Sequence, residues 1–263
     1  MNFIMPFNIS MRFLRVWQRN LIVYRENWKI SFIPPALEPF FYLLAFGVGL
    51  SALVGTVNYE GSEISYLVFI APALIAINIM NNAFFENTYA SFVRMYYQKT
   101  FDAMMATPLS LQEIITGEIV WGATKSVIAT IIMLAVISLF GLIRYPEGLL
   151  IIPLAFIGGI AFGSIGMYFT AIVSNIELFN LPVFLFITPM FLFSGTFFPL
   201  ETLPGWAQRI ALLLPLTHIV NLTRTLSLGI MDMSLLPGLC YFVISCLIFF
   251  PLAIHKMHRS LIK

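Results

Sequence analysis

Residues 64–85, ISYLVFIAPALIAINIMNNAFF, form a run of 22 residues without a single charged side chain. A helix needs about 20 predominantly apolar residues to cross the hydrocarbon core of a bilayer, so this run is long enough to span one. Because lipid offers no partner to backbone N–H and C=O groups, a spanning segment satisfies them internally, as a helix does. The run therefore predicts a transmembrane helix.

The rest of the chain has the composition of a membrane protein. Of its 263 residues, 60% are hydrophobic and 10% are charged, whereas a soluble domain carries about 25% charged residues. Five more apolar runs are long enough to cross a bilayer, and no segment alternates with the period of two that is typical of a β-barrel. We predict an all-α polytopic membrane protein with one domain over residues 1–263. Its six predicted spans are 32–57, 64–85, 118–143, 148–176, 178–200 and 235–254.

The distribution of Lys and Arg predicts that both termini are cytoplasmic. An even number of spans leaves the two termini on one side, where ten Lys and Arg residues fall. The opposite side carries three, Arg144, Arg209 and Arg224, while Lys125 lies within a span. The positive-inside rule assigns the richer side to the cytoplasm.

Residues 1–31 are predicted to form an amphipathic helix at the cytoplasmic interface. Apolar side chains recur at spacings of three and four residues, Met11 and Trp28 among them, and the opposite side carries arginines. Two interpretations stay open. The helix either anchors the chain to anionic lipid or takes part in gating, and in the second case Arg15 and Arg19 are candidates for gating or polar contact.

The connection between the second and third spans, RMYYQKTFDAMMATPLS at 94–110, is too polar to span a membrane and too regular for a loose loop. On a helix, Asp102 falls on the polar face, and Pro108 ends the helix. The aromatic and methionine side chains that share the other face are Tyr97, Phe101, Met104 and Met105. Such a face suits either a groove on a partner or the membrane surface.

Two groups of motifs carry a resemblance to a known family. The first is the 94–110 segment with EIITGEIVW at 113–121; the second is FSGTFFPL at 193–200, LPGW at 203–206, LPLTH at 214–218 and then Arg224. Together with the six spans, they resemble the ABC-2 type export permeases, in the branch with nodulation lipooligosaccharide and drug-resistance permeases. The resemblance covers essentially the whole chain.

The resemblance implies a transport role with a separate motor. It implies that 94–110 is a coupling helix that docks on an ABC ATPase subunit, with Tyr97, Phe101, Asp102, Met104 and Met105 as coupling residues. It also implies a homodimer with two ATPase copies in a bacterial inner membrane. ATP and Mg would be bound by the ATPase, so no cofactor is expected in this chain. The external segment 201–234 would contain short re-entrant helices.

The residues themselves argue against ATP binding by this chain. The nearest approach to a P-loop, GEIVWGATKS at 117–126, has two residues too many before its Lys and begins a membrane helix rather than following a strand. No metal-ligand spacing and no catalytic cluster is present, so we predict a protein that is not itself an enzyme. A membrane-embedded transferase for lipid-linked substrates and an ion-coupled carrier are the alternatives, and nucleic acid is not an expected partner.

Polar side chains inside the spans are the remaining candidates near the membrane. Glu38 lies near the start of the first span, where a carboxylate serves either as a gate or polar contact or as an interfacial group with a hydrogen-bond partner. Glu86 and Lys125 are predicted to pair between the second and third spans. Gly159 and Gly163 are small residues four apart and are predicted to allow close helix packing.

The external end of the chain is rich in aromatic residues. They could line a path for a sugar or an acyl chain, although such side chains more often face lipid or core. The candidates for this path are Phe191, Phe193, Phe197, Phe198, Trp206 and His218. The substrate class that the sequence leaves open is a lipid-linked saccharide, polysaccharide, lipid or drug-like amphipath, and His218 is expected to be a structural partner rather than a base.

Overall fold

The computed structural model describes residues 9–50, 54–59, 61–231, 233 and 235–261. The regular secondary structure of the described chain is helical apart from one short hairpin, which confirms the predicted all-α class. The helices are α1 Phe13–Glu26, α2 Trp28–Leu44, α3 Tyr66–Phe85, α4 Thr100–Met105, α5 Leu111–Leu139, α6 Ile151–Thr170, α7 Ile176–Phe193, α8 Gly205–Ala211, α9 Pro215–Ser227 and α10 Leu235–Leu261. The strands are β1 Thr56–Tyr59 and β2 Ser62–Ser65.

Five helical segments of the described chain are long and apolar enough to cross a membrane. They are Tyr66–Tyr97, Leu111–Leu139, Glu147–Thr170, Ile176–Phe193 and Leu235–Leu261. The pair α8 and α9, bent by 86°, passes the same test only when it is taken as one broken span. The bend fits the predicted re-entrant external helices.

The predicted first span, 32–57, is wrong at its C-terminal end. The apolar helix is shorter, Phe32–Gly47, and Thr56 and Val57 belong to β1. In the antiparallel hairpin Thr56 pairs with Ser65 and Val57 with Ile64. The predicted start of the second span at Ile64 is therefore two residues early, because the Ser65 hydroxyl caps α3 by accepting a hydrogen bond from the Val68 N–H.

Local capping and turn signals explain two of the other shifted boundaries. The third span begins at Leu111, seven residues before the predicted 118, because Ser110 and Glu113 form a reciprocal capping box. The fifth ends at Phe193 rather than at 200, since Gly195 turns the chain with φ +68°. The fourth helix ends at Thr170, before the predicted 176, and the sixth continues beyond 254 to Leu261.

The small residues of α6 allow the central helices to pack closely, as predicted. A Cβ built on Gly159 would lie 2.7 Å from the Cα of Ala123 in α5, and one on Gly163 would lie 2.8 Å from the Asn87 side chain. One apolar cluster fills the middle of the bundle, with Phe69, Ile75 and Phe162 among its buried members.

A second apolar cluster, separate from the first, is built from distant parts of the sequence. Val16 of α1, Phe101 of α4, Ile114 of α5, Phe179 of α7 and Met257 of α10 pack together in it. The N-terminal helix and the 94–110 segment therefore belong to one packed body.

Candidate functional site

Four charged side chains meet beside this second cluster. Arg94 lies 2.8 Å from Glu86 and 2.5 Å from Glu118, and Lys125 lies 2.8 Å from the other oxygen of Glu86. We call these four residues the ion cluster. The predicted Glu86–Lys125 pair is confirmed, whereas the sequence placed Arg94 only at the start of the 94–110 segment and did not predict its contacts.

Hydrogen bonds satisfy the carboxylates of the ion cluster on every side. Glu118, which is fully buried, accepts bonds from Asn20 at 2.9 Å and from the Ser91 hydroxyl at 2.7 Å. Glu86 accepts a bond from the Trp121 indole N–H at 3.1 Å. A buried charge is tolerated only with such partners, so removing any one member leaves another uncompensated.

The helix that carries Glu86 and Arg94 is itself irregular. After Phe85 the backbone forms two π-turns, Glu86–Ala90 and Val93–Tyr97. Each π-turn adds a residue to a helical turn, and such turns are frequent at functional sites. In this chain they continue α3 to Tyr97 and bring Arg94 onto the side that faces α5.

Helix α1 is attached to α5 by specific contacts. The Trp17 indole donates to the Thr124 hydroxyl at 2.9 Å, the Tyr24 ring meets Trp121 edge to face, and a Cβ on Gly117 would clash with Val16. The sequence predicts a helix in this region, and the structure contains one. One face of that helix packs on the protein itself.

The face of the N-terminal helix that packs on the protein differs from its predicted apolar face, whose contact with the membrane stays a prediction. Met11 is 74% exposed and Trp28 is also exposed, whereas Val16 and Asn20 are buried. Arg15 is exposed and donates a hydrogen bond to Gln18, and Arg19 lies half-buried beside the ion cluster. Burial lowers the pKa of the Arg19 guanidinium, an effect that Glu118 opposes and Arg94 reinforces.

The 94–110 segment contains a shorter helix than predicted. Lys99, with φ +54°, breaks the preceding helix, and α4 then covers only Thr100–Met105. Phe101 is 1% exposed and Met104 is buried, both in the second apolar cluster, and Met105 is partly buried against it. The assignment of Phe101 and Met104 as anchors for a partner does not fit this burial, because neither offers surface to one.

The other face of this segment is open. Tyr97 is 64% exposed, and Lys99, Asp102, Ala103 and Ala106 are exposed as well. Behind α4 the chain is fixed: Arg12 donates to the Pro108 carbonyl at 2.8 Å, and Ser10 bonds to Glu113 next to the capping box of α5. The segment therefore exposes a small face to solvent, while hydrogen bonds to residues 10–12 and 113 hold its C-terminal end in place.

A polar cleft of about 660 Å³ opens beside the ion cluster, between α1, the end of α3 and α5. Its lining combines amides, aromatic rings and members of the ion cluster. The polar and aromatic residues that line it are Arg19, Asn20, Tyr24, Asn27, Asn81, Asn82, Glu86, Tyr89, Arg94, Gln98, Trp121 and Lys125. This cavity is not evident from the sequence, because its residues come from three separate stretches.

The external candidates fall into a packed group and an exposed group. Phe191 contacts Phe197 with ring centroids 5.0 Å apart and Phe193 is partly buried, whereas Phe198 and Trp206 are exposed. His218 bonds to the Leu212 carbonyl at 2.8 Å and stacks on Tyr241. His218 therefore has two packing partners, and its role as a structural residue rather than a base stays a prediction.

Two further polar residues occupy defined positions. Glu38 is partly buried and hydrogen-bonds with the Asn78 side chain of α3. Arg224 is 1% exposed, donates to the Phe69 and Gly195 carbonyls, and lies 3.8 Å from the Phe69 ring centre. Within the described part of the chain, no group of three or more His, Cys, Asp or Glu residues is arranged to hold a metal ion.

Comparison with known proteins decides the family. The family model for the ABC-2 type transporter matches residues 11–228, most of the chain. The chain belongs to the ABC-2 type transporter family. It is 36% identical over 220 residues to nodulation protein J of Rhizobium leguminosarum bv. viciae, an alignment that covers 84% of this chain and 83% of that protein.

Other members of the family show similar coverage. Nodulation protein J of Rhizobium meliloti strain 1021 is 33% identical over 82% of this chain and 81% of its own length. The inner membrane transport permease YadH of Escherichia coli K12 is 22% identical, with 84% of each chain aligned. The chain is thus a multi-pass membrane protein of a transport family, and the resemblance that the motifs carry is confirmed.

Proposed function

We propose that this chain is the membrane-embedded subunit of an ATP-driven exporter, with its energy supplied by a separate ABC ATPase. Two copies of the chain would enclose the translocation path and bind two ATPase copies. Both termini would face the cytoplasm of a bacterial inner membrane, as the Lys and Arg distribution predicts. The match to the ABC-2 family over residues 11–228 is the observation that carries this proposal.

The geometry around α4 supports the coupling step. The exposed face of the 94–110 segment would contact the ATPase through Tyr97, Lys99, Asp102 and Ala103. Phe101 and Met104 would instead transmit the movement, since they attach α4 to the second apolar cluster. This division revises the set of docking residues predicted from the sequence and keeps Met105 as a partly buried link between the two faces.

The ion cluster would pass the movement on to two spans at once. Glu86 and Arg94 belong to the helix that begins as α3, and Glu118 and Lys125 belong to α5. Because α4 connects these two helices, a push on α4 acts on both, and the ion pairs keep their ends together. Packed elements with discrete arrangements are the means by which such movements travel through a protein.

The substrate that we propose is an amphipathic molecule, in the first place a lipid-linked saccharide. Two of the relatives that share a third or more of their residues with this chain are named nodulation protein J, and a more distant one is named a transport permease. The exposed Phe198 and Trp206 at the external end offer apolar faces near the exit. Polysaccharides, lipids and drugs are the other substrates to be tested.

Reconstitution tests the proposed function. The chain is purified with the ATPase that co-purifies with it, inserted into proteoliposomes and supplied with ATP on the ATPase side. Accumulation of a labelled lipid-linked saccharide on the opposite side, dependent on ATP hydrolysis, is the expected result. Transferase activity of the isolated chain, or transport driven by an ion gradient without any ATPase, would contradict the proposal.

A further inference from the structure

The polar cleft holds more hydrogen-bonding groups than the ion cluster uses. The carboxamides of Asn81 and Gln98 and the hydroxyls of Tyr24 and Tyr89 all belong to its lining. Among the described residues, none of these four groups has a hydrogen-bond partner within the chain. Each carboxamide offers two donors and an acceptor, and each hydroxyl can donate and accept.

The aromatic rings of the cleft are held in position by their neighbours. The Trp121 indole N–H is bound by Glu86, and its ring meets Tyr24 edge to face at a centroid distance of 5.5 Å. The Tyr89 ring packs against Phe179 at 5.0 Å. Rings that are fixed in this way bind a ligand without the entropic cost of ordering them first.

The charges of the cleft are largely compensated. Arg94 is paired with Glu86 and Glu118, and Lys125 is paired with Glu86. Of the cations that line the cleft in the described ranges, Arg19 alone lies outside these ion pairs. The attraction for an anionic group is therefore weak, and most of the polar residues that line the cleft are neutral hydrogen-bonding groups.

We propose that the polar cleft binds a neutral saccharide head group. Asn81 and Gln98 would exchange hydrogen bonds with sugar hydroxyls, and the aromatic rings would pack against the C–H faces of the sugar. Val23 and Phe85 also line the cleft, and their accessible apolar side chains offer a surface to the alkyl chain of the same ligand. This inference rests on the proposed function, because it names the substrate class that the exporter would take up on the cytoplasmic side.

Binding in this cleft would act directly on the coupling element. Glu86 and Arg94 line the cleft and also join α3 to α5. Gln98 follows the second π-turn and lies two residues before the start of α4 at Thr100. A bound head group therefore lies next to the residues through which we propose that the ATPase drives the spans.

A binding measurement without ATP or ATPase tests this site by itself. The full chain is placed in nanodiscs of zwitterionic lipid, free of glycoside detergent, and titrated with a fluorescent amphiphile that has one alkyl chain and a neutral tetrasaccharide head. Asn81→Ala and Gln98→Ala should each weaken binding roughly five-fold, the effect of about one lost hydrogen bond. Asn180→Ala removes an exposed amide outside the cleft and should leave binding unchanged.

Gln98→Ala and one further variant, Tyr89→Phe, keep the result interpretable if Asn81→Ala disturbs folding. Gln98 is exposed, and Tyr89→Phe keeps the ring and its packing while removing the hydroxyl. Both should weaken binding of the saccharide amphiphile while the melting temperature stays that of the unmodified chain. An amphiphile with the same alkyl chain and a phosphate head should bind more weakly and be insensitive to both changes.

Two results would overturn the inference. Equal binding of the saccharide amphiphile by the unmodified chain, Gln98→Ala and Tyr89→Phe would overturn the inference. Tighter binding of the phosphate amphiphile, lost in Arg19→Gln, would overturn it in favour of an anion site. If ATP-driven transport is absent while the saccharide still binds, the proposed function fails and this site stands; if transport proceeds while the cleft variants bind normally, only this inference fails.

Discussion

The Arg94 guanidinium and the Glu118 carboxylate, 24 residues apart in the sequence, lie 2.5 Å from each other and join the end of one membrane helix to the start of the next. The segment that links those two helices contains α4, and the ion pair holds the two ends of that segment together. Movement of α4 against the bundle therefore either displaces both helices together or breaks this contact.

Removing the charge of Glu118 should destabilise the protein strongly. Glu118→Gln keeps the shape of the side chain but leaves Arg94 with one carboxylate instead of two, and the lost charge is the one that is fully buried. Breaking a buried pair from one side costs about 3–5 kcal/mol. Thermal unfolding in detergent should show a clearly lower midpoint.

The exposed pair of Lys99 and Asp102, 3.9 Å apart, provides the control. Asp102→Asn should leave the unfolding midpoint almost unchanged, because water screens both charges. An equal loss in the two variants, or none in Glu118→Gln, would show that the ion cluster does not hold the helices together.

Substitutions on the two faces of α4 should have different effects. Phe101→Asp places a charge in the second apolar cluster and should prevent stable folding, since an unpaired buried charge has no compensation. Ala103→Arg changes only the exposed face and should leave the chain folded while reducing its stimulation of the ATPase several-fold. Yield and melting temperature measure the first effect and ATP hydrolysis the second. Normal stimulation by Ala103→Arg would remove this face from the proposed contact.

Gly159→Ala should separate α6 from α5. The added Cβ would lie 2.7 Å from the Cα of Ala123, which is backbone and cannot move alone, and such overpacking costs roughly 1–3 kcal/mol. Gly205→Ala is the matched control, because a Cβ there has no atom within 4 Å. The difference between the two melting temperatures measures the effect, and no difference would mean that the helices repack at no cost.

Arg224→Lys should loosen the end of the bundle that carries the β1–β2 hairpin, although the charge is kept. The Arg224 guanidinium bonds to the carbonyls of Phe69 and Gly195 and covers the rings of Phe69 and Tyr59, a geometry that an ammonium group cannot reproduce. Protease digestion of the purified protein should cut the β1–β2 hairpin sooner in Arg224→Lys than in the exposed control Arg209→Lys. Identical cleavage rates would contradict this role of Arg224.

The long apolar runs made the helices of the bundle predictable. The predictions that were wrong concern short elements that depend on local backbone geometry. The run at 64–85 and its counterparts give most of the membrane-spanning helices, because their length alone satisfies the bilayer. The hairpin was missed because each strand has four residues, too few to display alternation. The length of α4 was overestimated because a lysine such as Lys99 rarely adopts a left-handed backbone, and its residue type does not predict one.

Only one contact of the candidate site, the pair of Glu86 and Lys125, could be predicted from the sequence. Glu86 and Lys125 could be matched as opposite charges near the same end of adjacent spans. Arg94 could not, because its position depends on two π-turns that have no sequence signature, and Phe101 and Met104 have the same pattern whether they meet a partner or their own core. Amphipathic spacing identifies a buried face without saying what buries it.

ATP-dependent transport by the reconstituted complex tests the central claim most directly. Proteoliposomes with the chain and its ATPase should accumulate a lipid-linked saccharide only while ATP is hydrolysed, and Ala103→Arg should reduce accumulation without reducing the amount of folded chain. Undiminished accumulation in liposomes that lack the ATPase subunit would contradict the account.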